Sequence, residues 1–147
     1  MKETLLNTEP IAISIVDDNE FIGESLERWL TRNRGYTFLG AFQSPDAAFE
    51  SLASNPPHVL LLDVDLPGFD SFAALKRVSA EYPNVRVVML SGHVQREYIE
   101  RALEQGAAGY IVKDEGIPVI MDLIKRAASG EVVLSPTAKN SLIGAPC

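Results

Sequence analysis

Val59-Leu60-Leu61-Leu62-Asp63-Val64-Asp65-Leu66-Pro67-Gly68 is the stretch from which the fold can be read. Val59–Leu62 is apolar at every position. A strand facing solvent on one side alternates apolar with polar, so this one is covered on both faces, as strands of parallel sheets are. The run closes on a carboxylate, Asp63. Pro67-Gly68 then turns the chain, and Phe69–Ala80 carries Phe72, Leu75 and Val78 at helical spacing.

The same unit recurs on either side. Ile11–Val16 reads as a buried strand, followed by a helix over Asn19–Arg32 with Phe21, Ile22, Leu26, Trp29 and Leu30 as its apolar side. Asn33-Arg34-Gly35 ends that helix, with Gly35 as a left-handed cap. Tyr36–Phe42 is a second strand. Ser44 then caps a helix that starts at Pro45 and breaks at Asn55-Pro56-Pro57. Further on come a strand at Val85–Leu90, a helix at Gln95–Gln105 stopped by Gly106, a strand at Ala108–Val112, and a helix at Gly116–Ser129 stopped by Gly130. Five strand–helix repeats with right-handed crossovers predict an α/β fold: a doubly wound, five-stranded parallel sheet with five helices. Such sheets bind ligands beyond the carboxyl ends of their strands, where the winding reverses.

Composition narrows the function. The chain has 147 residues, a net charge of −7 and one cysteine, Cys147. A lone cysteine excludes a disulfide scaffold and suits a reducing cytoplasm. No apolar run approaches the ~18 residues of a membrane span. Met1-Lys2-Glu3-Thr4 places an acid where a signal peptide carries positive charge. The acidic balance disfavours direct nucleic-acid binding, which needs a basic footprint.

Polar residues stand at the strand ends. Asp17-Asp18 follow the first strand, Asp63 and Asp65 the third, Ser91-Gly92 the fourth and Lys113 the fifth. Asp17, Asp18 and Asp63 crowded at one sheet edge would repel one another unless a cation joined them. Oxygen ligands without a Cys/His cluster suit Mg²⁺, not zinc. Lys113 offers a fixed positive charge and Ser91 a hydroxyl for phosphoryl oxygens. The set fits phosphoryl transfer, with Asp63 the natural nucleophile because it ends a rigid central strand.

This ordered set resembles the receiver domain of two-component response regulators over about Ile11 to Ser129. The matching pieces are Asp17-Asp18, Asp63-Val64-Asp65-Leu66-Pro67-Gly68, Ser91-Gly92 and Gly109-Tyr110-Ile111-Val112-Lys113. The resemblance implies a flavodoxin-like receiver fold. It implies that Asp63 accepts a phosphoryl group from the phosphohistidine of a sensor histidine kinase. Asp18, Asp63 and the Asp65 backbone carbonyl would hold Mg²⁺, with Asp17 helping directly or through water. Lys113 and Ser91 would grip the phosphoryl oxygens. Ser91 and Tyr110 would form the switch, signalling through about Val94–Ala128. Asp65 and His93 would tune dephosphorylation.

Gly106–Lys113, Ser129-Gly130-Glu131 and Leu134-Ser135-Pro136 further resemble the NarL/LuxR-like group, whose members usually carry a DNA-binding helix-turn-helix domain. Residues 1–130 are accordingly expected to be the receiver and residues 131–147 a C-terminal extension or the start of a linker. Val132–Leu134 would run along the domain, and Pro136–Ile143 would form a short helix or a linker start. Residues after Gly130 are too few for a helix-turn-helix domain, so the chain is a single-domain regulator or part of a longer one. Ser71 stands where many receivers have glycine, a change expected to affect only the turn after Pro67. Asp114 stands where many have proline.

The expected function is a cytoplasmic phosphorylation switch, not a turnover enzyme, that changes partner binding or homodimerisation when phosphorylated and controls transcription through a domain outside this chain. Two alternatives stand beside it. Asp63-Val64-Asp65 also fits the nucleophile motif of haloacid-dehalogenase-type phosphatases, with Asp65 as general acid, although their acidic pair comes late and Asp17-Asp18 comes early. The other is a phosphorylation-independent interaction module. Asp17-Asp18 could also start a helix, Tyr110 could be plain core, His93 an exposed rim residue, and His58 a structural one.

Overall fold

The computed structural model describes residues 9–143; Met1–Thr4 and Cys147 lie outside them. Six parallel strands form one sheet: β1 (Ile11–Val16), β2 (Tyr36–Phe42), β3 (Val59–Asp63), β4 (Arg86–Ser91), β5 (Gly109–Val112) and β6 (Val133–Leu134), in the order β2-β1-β3-β4-β5-β6. The helices are α1 (Glu20–Thr31), α2 (Pro45–Ser54), α3 (Ser71–Glu81), α4 (Arg96–Glu104), α5 (Ile117–Ala128) and α6 (Pro136–Ile143). No described helix is long and apolar enough to cross a membrane.

The doubly wound parallel architecture is the one expected, with a two-residue sixth strand added, and the short helix expected over Pro136–Ile143 is present as α6. The chain runs outward from β1 to β2, then back across β1 to β3 and on to β6, so winding reverses between β1 and β3. Alternate strand residues enter opposite layers. Leu60, Leu62, Val87, Met89 and Tyr110 pack with Leu52, Phe72, Leu75, Ile99 and Ala138. Ile13, Ile15, Leu61, Val88 and Ile111 pack with Leu26, Leu30, Ile120 and Ile124. Both faces are dry, which accounts for strands apolar at every position.

Several local expectations hold and two do not. Ser44 accepts a hydrogen bond from the Ala47 N–H at 3.3 Å, and Pro45 opens α2. Gly106 and Gly130 adopt the left-handed conformation, with φ of +94° and +109°. Gly35 does not; α1 has already ended at Arg32 in right-handed geometry, and the Asn33 side chain donates to the Trp29 carbonyl at 2.6 Å. Phe21 is not on the apolar side of α1; it is 69% exposed. His58 is structural as expected, its Nδ1 accepting from the Ala12 N–H at 2.8 Å.

The added strand depends on one glycine. Gly109 pairs with Val133, and Tyr110 with Leu134. A Cβ at Gly109 would lie 2.6 Å from both the Val133 carbonyl oxygen and its Cγ2. Helix α6 then packs against α4 and β5. Gly109→Ala is expected to push β6 away and destabilise the protein by about 1–3 kcal/mol. Thermal unfolding with amide exchange at Ser135 checks this; an unchanged melt with slow exchange would contradict the close approach.

Candidate functional site

Strand register brings the site together. Val16 pairs with Leu62, Asp63 with Leu90, and Ser91 with Val112. Asp17, Asp63, Ser91 and Lys113 therefore leave the sheet at one level, at the carboxyl ends of neighbouring strands. The Lys113 N–H donates to the Ser91 carbonyl at 2.7 Å, which carries that alignment one residue beyond β5.

Asp63 and Asp17 are 2% and 5% exposed. The Lys113 ammonium lies 2.7 Å from Asp17 Oδ2 and 3.4 Å from Asp63 Oδ2. Asp17, Asp18 and Asp63 each offer a carboxylate oxygen within 4.8 Å of the others. At that spacing and an effective dielectric near 20, each pair of charges repels by about 3–4 kcal/mol. One ammonium cannot neutralise three carboxylates; two negative charges remain, which a divalent cation would cancel. Asp17 Oδ2 is buried and receives no aligned hydrogen bond despite the nearby ammonium. It faces the Lys113 ammonium at 2.7 Å, and its remaining lone pair is open to a cation. The residues present therefore fit Mg²⁺.

Electrostatics agree with the geometry. Burial raises the Asp63 carboxyl and the neighbouring Asp17 charge raises it further; the Asp65 N–H and Lys113 oppose this, and the result is about 6. Burial alone would lower the Lys113 ammonium, but Asp17 and Asp63 outweigh it and hold it above the ordinary lysine value.

Backbone and loop contacts aim these groups. The Asp65 N–H donates to Asp63 Oδ1 at 2.9 Å. The Asn19 N–H donates to Asp17 Oδ1 at 2.9 Å, and Asn19 itself caps α1 by accepting from Phe21 N–H. The helix start thus belongs to Asn19, and the acidic pair is left for the site. Ser71 reaches further than the turn: its buried hydroxyl donates to the Asp63 carbonyl at 2.6 Å. That correction has a simple cause, since Asp63 ends its strand and its carbonyl needs a donor.

Ser91 is at the site but faces the rim. Its hydroxyl donates to the His93 carbonyl at 2.8 Å, accepts from the His93 N–H at 3.1 Å, and lies 3.4 Å from Asp65 Oδ2. His93 is exposed. Tyr110 is 0% exposed and its hydroxyl has no hydrogen-bond partner. Burial raises its phenol, and the Asp65 charge adds to this.

A parallel α/β sheet with a lysine-bridged acidic cluster at its switch point is suited to holding a divalent cation. The family comparison is specific: residues 13–125 match the response regulator receiver domain, and the chain belongs to that family. It is 27% identical over 138 residues to the transcriptional regulatory protein DegU of Brevibacillus brevis, covering 94% of this chain and 58% of that protein. It is 28% identical over 129 residues to the nitrate/nitrite response regulator NarL of Escherichia coli K12, covering 88% of this chain and 60% of that protein. The solved signal receiver domain of NarL from Mycobacterium tuberculosis superposes with a TM-score of 0.77 at 28% identity, covering 84% of this chain and 99% of that one. These relatives agree with the NarL/LuxR-like grouping, and nothing among them supports the phosphatase alternative. The chain spans about 60% of the length of the curated relatives. Receiver domains are signalling modules that bind Mg²⁺ in an acidic pocket.

In the metal-free protein the raised Asp63 carboxyl binds its proton more tightly than the unfolded chain does. Stability contributed by that proton is full below about pH 4 and is lost as pH rises through about 6. Asp63→Asn removes the charge and should melt roughly 3–6 °C higher at pH 7.5, with the gap closing toward pH 4. Equal melts across that range would contradict the crowding described.

Proposed function

We propose that Asp63 is the phosphoacceptor of a Mg²⁺-dependent response regulator receiver, phosphorylated by a sensor histidine kinase. The observation that carries this reading is the Lys113 ammonium beside two buried carboxylates, Asp17 and Asp63, at the carboxyl end of the sheet. An Asp63 oxygen attacks phosphorus in line, the bond from phosphorus to the donor imidazole nitrogen breaks, and the imidazole leaves. Asp18, Asp63 and the Asp65 carbonyl, with Asp17 directly or through water, would hold Mg²⁺, which would supply positive charge for the developing oxyanions. Lys113 supplies a further positive charge, and Ser91 turns from His93 to donate to a phosphoryl oxygen.

Asp65 and His93 border the approach of water and set how long the acyl phosphate lasts. Ser91 and the buried Tyr110 carry the change toward α4, β5 and α5. The protein acts in the cytoplasm, and phosphorylation alters partner binding or drives homodimerisation. Through a DNA-binding domain outside this chain, as the names of its transcriptional relatives suggest, the result is control of transcription. The chain itself does not contact nucleic acid or membrane.

Incubation with Mg²⁺ and a small phosphodonor such as phosphoramidate, followed by intact mass, tests the reading. One added phosphoryl group is expected on the wild type, none on Asp63→Asn and none without metal. Unchanged phosphorylation of Asp63→Asn would contradict it.

A further inference from the structure

Beyond α5 the chain returns to the site from the other side. Ser135, which follows β6, is fully buried. Its N–H donates to the Tyr110 carbonyl at 3.1 Å, and its hydroxyl oxygen accepts from the Val112 N–H at 3.0 Å. Two residues on, the Thr137 hydroxyl donates to Asp114 Oδ2 at 2.8 Å. The residues before and after Lys113 are therefore each held by a hydroxyl from the N-terminal end of α6. The Lys139 N–H donates to the Ser135 carbonyl at 2.8 Å, the first helical bond of α6, so both hydroxyls stand at the start of that helix.

These contacts have a physical logic. β6 is two residues long and supplies no backbone acceptor opposite Val112. The Val112 N–H would be buried and unpaired without the Ser135 hydroxyl, at a cost of about 1–3 kcal/mol. Lys113 itself is tied to β4 through the Ser91 carbonyl, at 2.7 Å. Its flexible side chain must still place an ammonium among two carboxylates, and the direction in which its backbone leaves the sheet decides where that ammonium can reach.

We propose that Ser135 and Thr137 are positioning residues for Lys113: by holding Val112 and Asp114 they set where its ammonium meets the phosphoryl group. The segment after Gly130 is then part of the phosphorylation machinery. This inference rests on the reading of Asp63 as phosphoacceptor.

The test compares initial rates of Mg²⁺-dependent phosphorylation by phosphoramidate, read by intact mass, in the wild type, Ser135→Ala, Thr137→Val and Thr137→Ser. Misplacement of a charged group by a fraction of an ångström is expected to slow the maximal rate about 5–20-fold in Ser135→Ala and Thr137→Val, with the donor concentration at half-maximal rate little changed. Thr137→Ser keeps the hydroxyl and should stay within about twofold of wild type on the same grounds. Circular dichroism confirms folding; if Ser135→Ala does not fold, the Thr137 pair, at a half-buried position, decides alone. A wild-type rate in Thr137→Val, or an equal loss in Thr137→Ser, overturns the inference while leaving Asp63 as acceptor. No phosphorylation of the wild type overturns both.

Discussion

Two carboxylates buried side by side would push a sheet edge apart, and Lys113 is what holds them there. Its ammonium lies within 3.4 Å of both Asp17 and Asp63. The attraction to each is comparable with their mutual repulsion of about 3–4 kcal/mol, so the ends of β1, β3 and β5 must stay level for the balance to exist. That requirement runs through the rest of the molecule. It is met by parallel register, by dry packing on both faces, and by β1, β3, β4 and β5 ending side by side. The balance is incomplete, since Asp18 adds a third acid and, among the described residues, Lys113 is the lysine paired with the cluster. The residual negative charge is the chemical demand for a divalent ion.

The arrangement also separates positioning from chemistry. Asp63 is held at three points: its strand, the Asp65 N–H on its side chain, and the Ser71 hydroxyl on its carbonyl. It has little freedom except to react. Ser91 has more, because its hydroxyl is engaged by the exposed residue it shares a turn with, His93, and not by another strand. A rigid acceptor beside an adjustable hydroxyl suits a site that must hold one geometry for transfer and report the result elsewhere.

The acidic cluster was legible because strand ends are legible. Apolar runs such as Val59–Leu62 announce parallel strands, and a carboxylate at such an end has few structural uses. Lys113 and Ser91 could be placed for the same reason, from where their strands stop. Contacts made across the chain were not legible. Nothing in Val133-Leu134 marks a strand, because two residues carry no periodicity and their pairing depends on the bare backbone of Gly109. Ser135, Thr137 and Ser71 read as turn residues; only tertiary placement shows what their hydroxyls reach. Arg86 is another case. It looks like a strand-start cation, yet its guanidinium donates to the Ala127 and Glu131 carbonyls and closes the end of α5. The Gly35 expectation failed because side-chain hydrogen bonding by Asn33 finished α1 first.

A crystal structure of the protein with Mg²⁺ and beryllofluoride tests the central claim most directly. The account predicts beryllium on an Asp63 carboxylate oxygen, Mg²⁺ shared by Asp17, Asp18 and Asp63, and the Lys113 ammonium moved onto a fluoride with Ser91 turned to meet another. An adduct elsewhere, or Lys113 still paired to Asp17 with no ligand at Asp63, would contradict it.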